Sequence, residues 1–195
     1  MNRTIRLLML SDLFVFTGFG LVTPVLAIFV KDNITGGSIT AAGIASFIYL
    51  FMKAVVQLPF SRYSDSHPKM QRQFLVWGSI LMSASSILFI PATHISTLYF
   101  AQLLRGIGAG LAYPCWLSLW STHLDKHHEG YEWSLYNTVA SIGTAIAAAV
   151  GAGLVQLIGF SDTFIIVSIT TLIGSFILLW LASGSRPGKL NSLPA

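Results

Sequence analysis

The stretch LYFAQLLRGIGAGLAYPCWLSLW, residues 98–120, decides how the chain folds. It is apolar for at least the roughly 20 residues that a helix needs to cross a bilayer. Near its middle stands one guanidinium, Arg105, followed by Gly106, Gly108 and Gly110. A charge at mid-bilayer costs about 2.5–3.5 kcal/mol on insertion scales, so it faces a polar cavity or a partner and not lipid. The glycines let other helices come close. The stretch is therefore expected to be a packed helix beside a polar cavity.

Composition extends that reading to the whole chain. Of its 195 residues, 54% are hydrophobic and 9% charged, against about 25% charged in an average soluble domain. The chain reads as an integral membrane protein, one compact helical unit with no room for a soluble domain of normal size. Its net charge of +4 does not point to nucleic acid, because the basic residues are scattered between apolar spans. Cys115 is the only cysteine, which excludes an intrachain disulfide. Arg3 and Arg6 precede an apolar run, as in a signal peptide. The run continues to Val30 without a small-x-small cleavage site, so it reads as an uncleaved first span.

Six spans are expected, at 5–30, 39–60, 73–92, 96–121, 132–158 and 162–182. They make one all-α transmembrane domain over 1–183, followed by a polar cytoplasmic tail at 184–195. The breaks are KDNITGG, SRYSDSHPKMQRQ, PATHIS, HLDKHHEGYE and GFSD, all polar and rich in turn residues. Helices are expected because each span must satisfy its own backbone in lipid. Arg3, Arg6, Arg62, Lys69, Arg72, Lys126, Arg186 and Lys189 fall on one side, and only Lys31 on the other. The positive-inside rule then puts both termini in the cytoplasm, with the cytoplasmic membrane as the expected location.

Helical spacing puts Asp12, Phe16, Phe19 and Thr23 on one face of span one, with a bend at Pro24. Ser46, Tyr49 and Lys53 share a face of span two. Asp12 and Lys53 each lie about 10 Å inside the cytoplasmic boundary, within reach of an ion pair. In span five, Asn137, Ser141 and Thr144 share a face, while Gly143, Ala147 and Gly151 form a small-residue stripe. Span six and most of span three read as lipid-facing. Trp116 and Tyr113 can stack on an aromatic substrate, and Trp120 reads as an interface anchor. His123 and His127 share a helix face, but with no HExxH pattern and no evident third ligand they read, with His128, as a solvated loop. There is no GxSxG, phosphate loop or CxxC, so the residues offer no enzyme chemistry.

Four stretches carry a family resemblance. GFGLVTPVL at 18–26 is similar to a first-helix pattern GxGxxxPVLP, with Ala27 replacing the last proline. SRYSDSHPKMQR at 61–72 is similar to a loop pattern GxxxDRxGRR. Asp65 falls on its aspartate and Lys69 on a basic position, while Ser61, Ser66 and Pro68 depart from it. LYFAQLLRGIGAG resembles a fourth-helix pattern LYxARxLQGIGAG, with Gln102 at the arginine position and Arg105 one turn later. GTAIAAAVGA at 143–152 resembles a fifth-helix pattern GxxxGPxxGG, with Ala147 and Ala148 for the central Gly-Pro. Together, and in this order, they resemble the N-terminal half of the major facilitator superfamily, nearest to its drug- and tetracycline-exporter branch.

The resemblance implies a small-molecule transporter working by alternating access, with helices one and four lining its cavity. Residue reading and resemblance together give a cavity of Arg105, Asp12, Lys53, Phe16, Phe19, Thr23, Tyr49, Gln102, Ala109, Ala112, Trp116 and Asn137. The resemblance also implies a gating loop of Asp65, Arg62, Lys69 and Arg72. On the residues alone, Asp65 reads as the cap of the third helix. Each charge has a blander reading. Arg105 can pair with Asp12 or with backbone carbonyls, Lys53 can snorkel to the surface, and Asp12 can neutralise Lys53 instead of carrying a proton. No cofactor or metal is expected, and proton coupling stays open because Gln102 and Ala147–Ala148 depart from the relevant patterns.

The substrate is left between two classes. The branch implies a lipophilic drug-like compound, whereas Lys53 and Arg105 against Asp12 leave one positive charge, which suits an anion. The family normally joins two such halves in one chain. A parallel homodimer through spans two and five is therefore expected, using Ala41, Ala42, Gly43 and Ala45 against Gly143, Ala147 and Gly151. The alternatives are a non-transporting membrane partner or assembly factor, and the N-terminal half of a twelve-span protein.

Overall fold

The computed structural model describes residues 3–183, apart from the side chains of Phe16 and residues 181–183. The expected tail at 184–195, with Arg186 and Lys189, lies outside the described residues. Helix α1 (Arg3–Val22) passes through a 3-10 turn at Thr23–Val25 into α2 (Leu26–Asn33). Pro24 has no N–H to continue the helical ladder, which locates the change of helix there. Helix α3 (Ile39–Ser66) starts at Ser38, whose Oγ accepts from the Ala41 N–H at 3.0 Å. That bond satisfies a donor every helix start leaves orphaned. Helices α4 (Gln71–Leu88), α5 (Ile95–His123) and α6 (Glu129–Ser183) complete the chain. The stretches Arg3–Asn33, Ile39–Ser66 and Glu129–Trp180 are long and apolar enough to cross a membrane.

Asp65 does not cap α4. Helix α3 runs on past residue 60, so Asp65 sits in its last turn, and the 3-10 turn Pro68–Met70 leads directly into Gln71. Helix α6 holds the expected spans five and six as two limbs. On limb 129–158, Gly143 faces Leu13 and Gly151 faces Leu21, so this limb runs parallel to α1. On limb 160–183, Gly174 meets Ser11, and Thr170 and Thr171 meet Gly18, so this limb runs back. Gly159 makes the reversal at φ 83° and ψ 175°, a conformation open to glycine and costly for other residues.

Helices α3 and α5 form the same kind of parallel pair. Tyr49 lies beside Gly106, Val56 beside Gly110, and Ser64 beside Cys115. Helix α4 runs antiparallel to α5, with Gly78 on Gly108 and Gln71 on Ser118. It also runs antiparallel to limb 160–183, with Ser83 on Ser175 and Ser86 on Thr171. Exchange α1 with α5, α3 with limb 129–158, and α4 with limb 160–183, and this pattern maps onto itself. That is an internal inverted repeat. One end of the bundle gathers Arg3, Arg6, Arg62, Lys69, Arg72 and Lys126. At the other end lies Lys31, where the Thr35 N–H donates to the Thr93 carbonyl at 2.8 Å.

Packing reverses two expectations. Ala41, Ala42 and Ala45 are buried inside the unit, as is Ala147, and Gly143 and Gly151 lie on α1. A Cβ on Gly151 would collide with the Leu21 carbonyl. Apart from Gly43, which is exposed, these small residues are consumed where helices of one chain already lie side by side. Limb 160–183 is not simply lipid-facing either. It exposes Ile165, Ile169, Ile173 and Phe176, but buries Thr163, Ser168, Thr171 and Ser175. Ser83 and Ser175 share a hydroxyl bond of 3.0 Å, and Ser86 and Thr171 one of 3.3 Å. In an apolar bundle such pairs hold helices where no hydrophobic gain distinguishes helix from lipid.

Gly151→Val should lower stability by about 1–3 kcal/mol, the usual cost of overpacking. Gly43→Ala should be near neutral, because nothing lies within 4 Å of its would-be Cβ. Thermal unfolding of the purified protein in lipid nanodiscs reads both. A Gly151→Val protein as stable as its parent would refute the α1 contact.

Candidate functional site

Helix α5 carries the centre of the site. A Cβ on Gly106 would come within 2.6 Å of the Tyr49 carbonyl, and one on Gly108 within 2.7 Å of the Gly78 carbonyl. Glycine thus brings α5 to the backbones of α3 and α4 at once. Arg105, beside this contact, is held between two rings. Its Cζ lies 3.8 Å from the Phe19 ring centroid and 4.5 Å from that of Tyr49. A guanidinium on an aromatic face gains about 0.5–2 kcal/mol, more as water is excluded. Its Nε is buried with no hydrogen-bond partner.

Neither blander reading of Arg105 is realised: among the described residues it pairs with no carboxylate and bonds to no backbone carbonyl. Three cavities meet at it. The largest, about 440 Å³, lies between α1–α2, α3 and α5. Its walls include Leu26, Ala27, Ala42 and Leu50, and its polar groups are Thr23, Ser46, Tyr49 and Gln102. A second, about 130 Å³, is bordered by Asp12, Phe19, Tyr49, Lys53, Ala109, Ala112, Tyr113, Trp116 and Tyr136. A third, about 20 Å³, is closed by Phe19, Ser86, Phe89 and Phe164.

The ion pair expected between Asp12 and Lys53 is not formed. The Tyr136 hydroxyl donates to Asp12 Oδ2 at 3.0 Å, and Lys53 Nζ sits 4.2 Å from the Tyr113 ring centroid. Each charge has an aromatic residue as its own neighbour. Gln102 is 1% exposed, and its Oε1 has no partner. An unpaired acceptor buried this far from water is costly unless something else meets it.

Ten of the expected cavity residues border one of these spaces: Asp12, Phe19, Thr23, Tyr49, Lys53, Gln102, Arg105, Ala109, Ala112 and Trp116. The side chain of Phe16 lies outside the described residues. Asn137 borders none of them and is exposed. Tyr136 takes its place, because one residue turns the side chain by about 100° around a helix. The signal was present: positions 136, 140, 143, 147 and 151 continue one face, the face that meets α1. Trp120 is no interface anchor. It is fully buried, 5.1 Å from Trp116 and 5.6 Å from Trp133 between ring centroids. Arg62, Asp65 and Lys69 are exposed, and Arg72 is half-buried. The residue missed here is Gln71, whose Nε2 donates to Ser118 Oγ at 3.0 Å and to the Ser64 carbonyl at 3.3 Å. It ties α3, α4 and α5 at the basic end.

Comparison with known proteins gives a family. The family model described as Major Facilitator Superfamily matches residues 8–195. The chain is similar to Multidrug resistance protein 2 of Bacillus subtilis (strain 168), with 30% identity over 115 residues. That match covers 58% of this chain and 28% of the relative. It is also similar to Quinolone resistance protein NorA of Staphylococcus aureus, 24% identical over 159 residues, covering 80% of this chain and 39% of NorA. The chain therefore spans well under half the length of these relatives. Its fold is shared by the POT family transporter PepTSo, at a TM-score of 0.73 and 15% identity over 98% of this chain and 40% of that one. The chain belongs to the Major Facilitator Superfamily, and is thus an integral membrane protein of a transporter family and not an enzyme.

Proposed function

We propose that the chain is one six-span unit of a small-molecule transporter of the drug-export type. The spans are α1 with α2, then α3, α4, α5, and the two limbs of α6. The basic end of the bundle faces the cytoplasm, as the positive-inside rule asks, and so do both termini. The observation that carries the reading is Arg105, at the junction of three cavities, clamped by rings and neutralised by no acid among the described residues. An assembly factor has no use for a guanidinium kept unpaired inside an apolar bundle. Relatives named for multidrug and quinolone resistance support a drug-like substrate.

Alternating access needs a second unit to rock against. A parallel second copy supplies it, seated on the outer faces of α3 and limb 129–158. These faces expose Phe47, Leu50 and Leu58, and Ile142, Ile146 and Leu157. A two-fold axis along the membrane normal makes that contact self-complementary. The short coverage of the relatives favours a second reading, in which the rest of a longer chain occupies the same faces. Arg62, Asp65, Lys69 and Arg72 then hold one closed state at the cytoplasmic mouth. Asp12, bonded to Tyr136 inside the cavity, is the group placed to take up a coupled proton.

Arg105→Ala should cut transport in proteoliposomes by at least about tenfold, the scale of one lost charged hydrogen bond, while the protein still folds. Arg105→Lys should rescue poorly, because a point charge does not replace a planar fork. Transport at the parental rate in Arg105→Ala would refute the cavity. On a Cys115→Ser background, Ser38→Cys should react with an impermeant thiol reagent applied to intact cells, and Ser192→Cys should not; the reverse result would invert the orientation. Phe47→Cys combined with Ile146→Cys should crosslink to a covalent dimer in native membranes. A protein that transports as a monomer at every lipid dilution would sink the homodimer.

A further inference from the structure

Phe19, Tyr49 and Tyr113 border the second cavity, Tyr49 also the largest, and each carries one of the protein's own cations on a ring face. Arg105 lies on Phe19 and Tyr49, and Lys53 lies on Tyr113. A bare aromatic face is what attracts a lipophilic cation. At these three rings such a ligand would first have to displace Arg105 or Lys53, and would then sit beside the charge it displaced. Among the described residues the only acid bordering these cavities is Asp12, at the second one, and it is already bonded to Tyr136. Two cations therefore face one acid, and no ion pair among the described residues neutralises either cation.

The unmet polar groups complete the picture. Arg105 Nε is a buried donor without an acceptor. Gln102, one turn earlier on α5, lines the same cavity and keeps its Oε1 buried without a donor. The remaining wall is apolar, with Leu26, Ala27 and Leu50. We infer that this cavity selects amphipathic organic anions over the cations of the same shape. Their carboxylate pairs with the guanidinium of Arg105, which borders the cavity without a counter-ion among the described residues, and the apolar body lies along the outer wall. A guanidinium fork suits a carboxylate in geometry as well as charge. The inference rests on the transporter reading and narrows its substrate class.

The test uses the full chain in lipid nanodiscs and two shape-matched probe pairs of opposite charge, naphthoate with naphthylmethylammonium and decanoate with decylammonium. Binding is measured by calorimetry against empty nanodiscs. At least one anion should bind about tenfold or more tightly than its matched cation. Arg105→Gln should remove that preference and Arg105→Lys should retain part of it, with the thermal midpoint of each variant checking the fold. The comparison on the unmodified chain stands even if Arg105→Gln does not fold. Cations that bind as tightly as their matched anions would overturn the inference, and if those cations are also transported the transporter reading survives. Unchanged anion affinity in a folded Arg105→Gln protein would overturn it as well. No binding of any probe overturns the inference, and absence of transport of any compound then removes the transporter reading with it.

Discussion

Helix α5 touches its neighbours backbone to backbone, and that contact places everything else in the site. Gly106 admits the Tyr49 carbonyl, Gly108 meets Gly78, and Gly110 admits Val56. In lipid there is little hydrophobic gain from bringing helices together, so small residues and short hydrogen bonds decide which faces meet. With α5 pressed onto α3 and α4, Arg105 lies between the rings of Phe19 and Tyr49. The guanidinium is stabilised there by the two ring faces and left free at Nε.

The same economy of small residues recurs across the internal two-fold. Limb 129–158 presents Gly143, Ala147 and Gly151 to α1, as α5 presents its glycines to α3. Hydroxyls join the remaining pair, α4 and limb 160–183, through Ser83–Ser175 and Ser86–Thr171. Each seam lies inside one chain. The faces left over are large and aliphatic, with Phe47 and Leu58 on α3 and Ile146 and Leu157 on limb 129–158. Such faces suit lipid or a second unit equally in composition.

Charge inside the bundle is handled without ion pairs among Asp12, Lys53 and Arg105. Asp12 takes a tyrosine hydroxyl, Lys53 a tyrosine ring, and Arg105 two rings. A buried ion pair gains Coulomb energy only after a large desolvation cost, and breaking it again is expensive. Ring contacts leave both cations without a counter-ion among the described residues.

The sequence by itself determined the solvent, the class and the line of the cavity. An apolar chain with isolated charges has to be helical in lipid, and i, i+4 spacing put Asp12, Phe19 and Thr23 on one face and Tyr49 with Lys53 on another. Arg105 stood out because a lone guanidinium in an apolar run has few explanations. Only the tertiary structure decided the partners. Asp12 and Lys53 lie at matching depths, yet depth says nothing of rotation about the axis, and Tyr136 and Tyr113 took their places. The small-residue stripes marked close packing but could not say against what, and all but the exposed Gly43 face α1 or the interior. Trp120 and Asn137 exchanged inside for outside for the same reason. A helical pattern fixes which residues share a face, and only the neighbouring helices fix where that face looks.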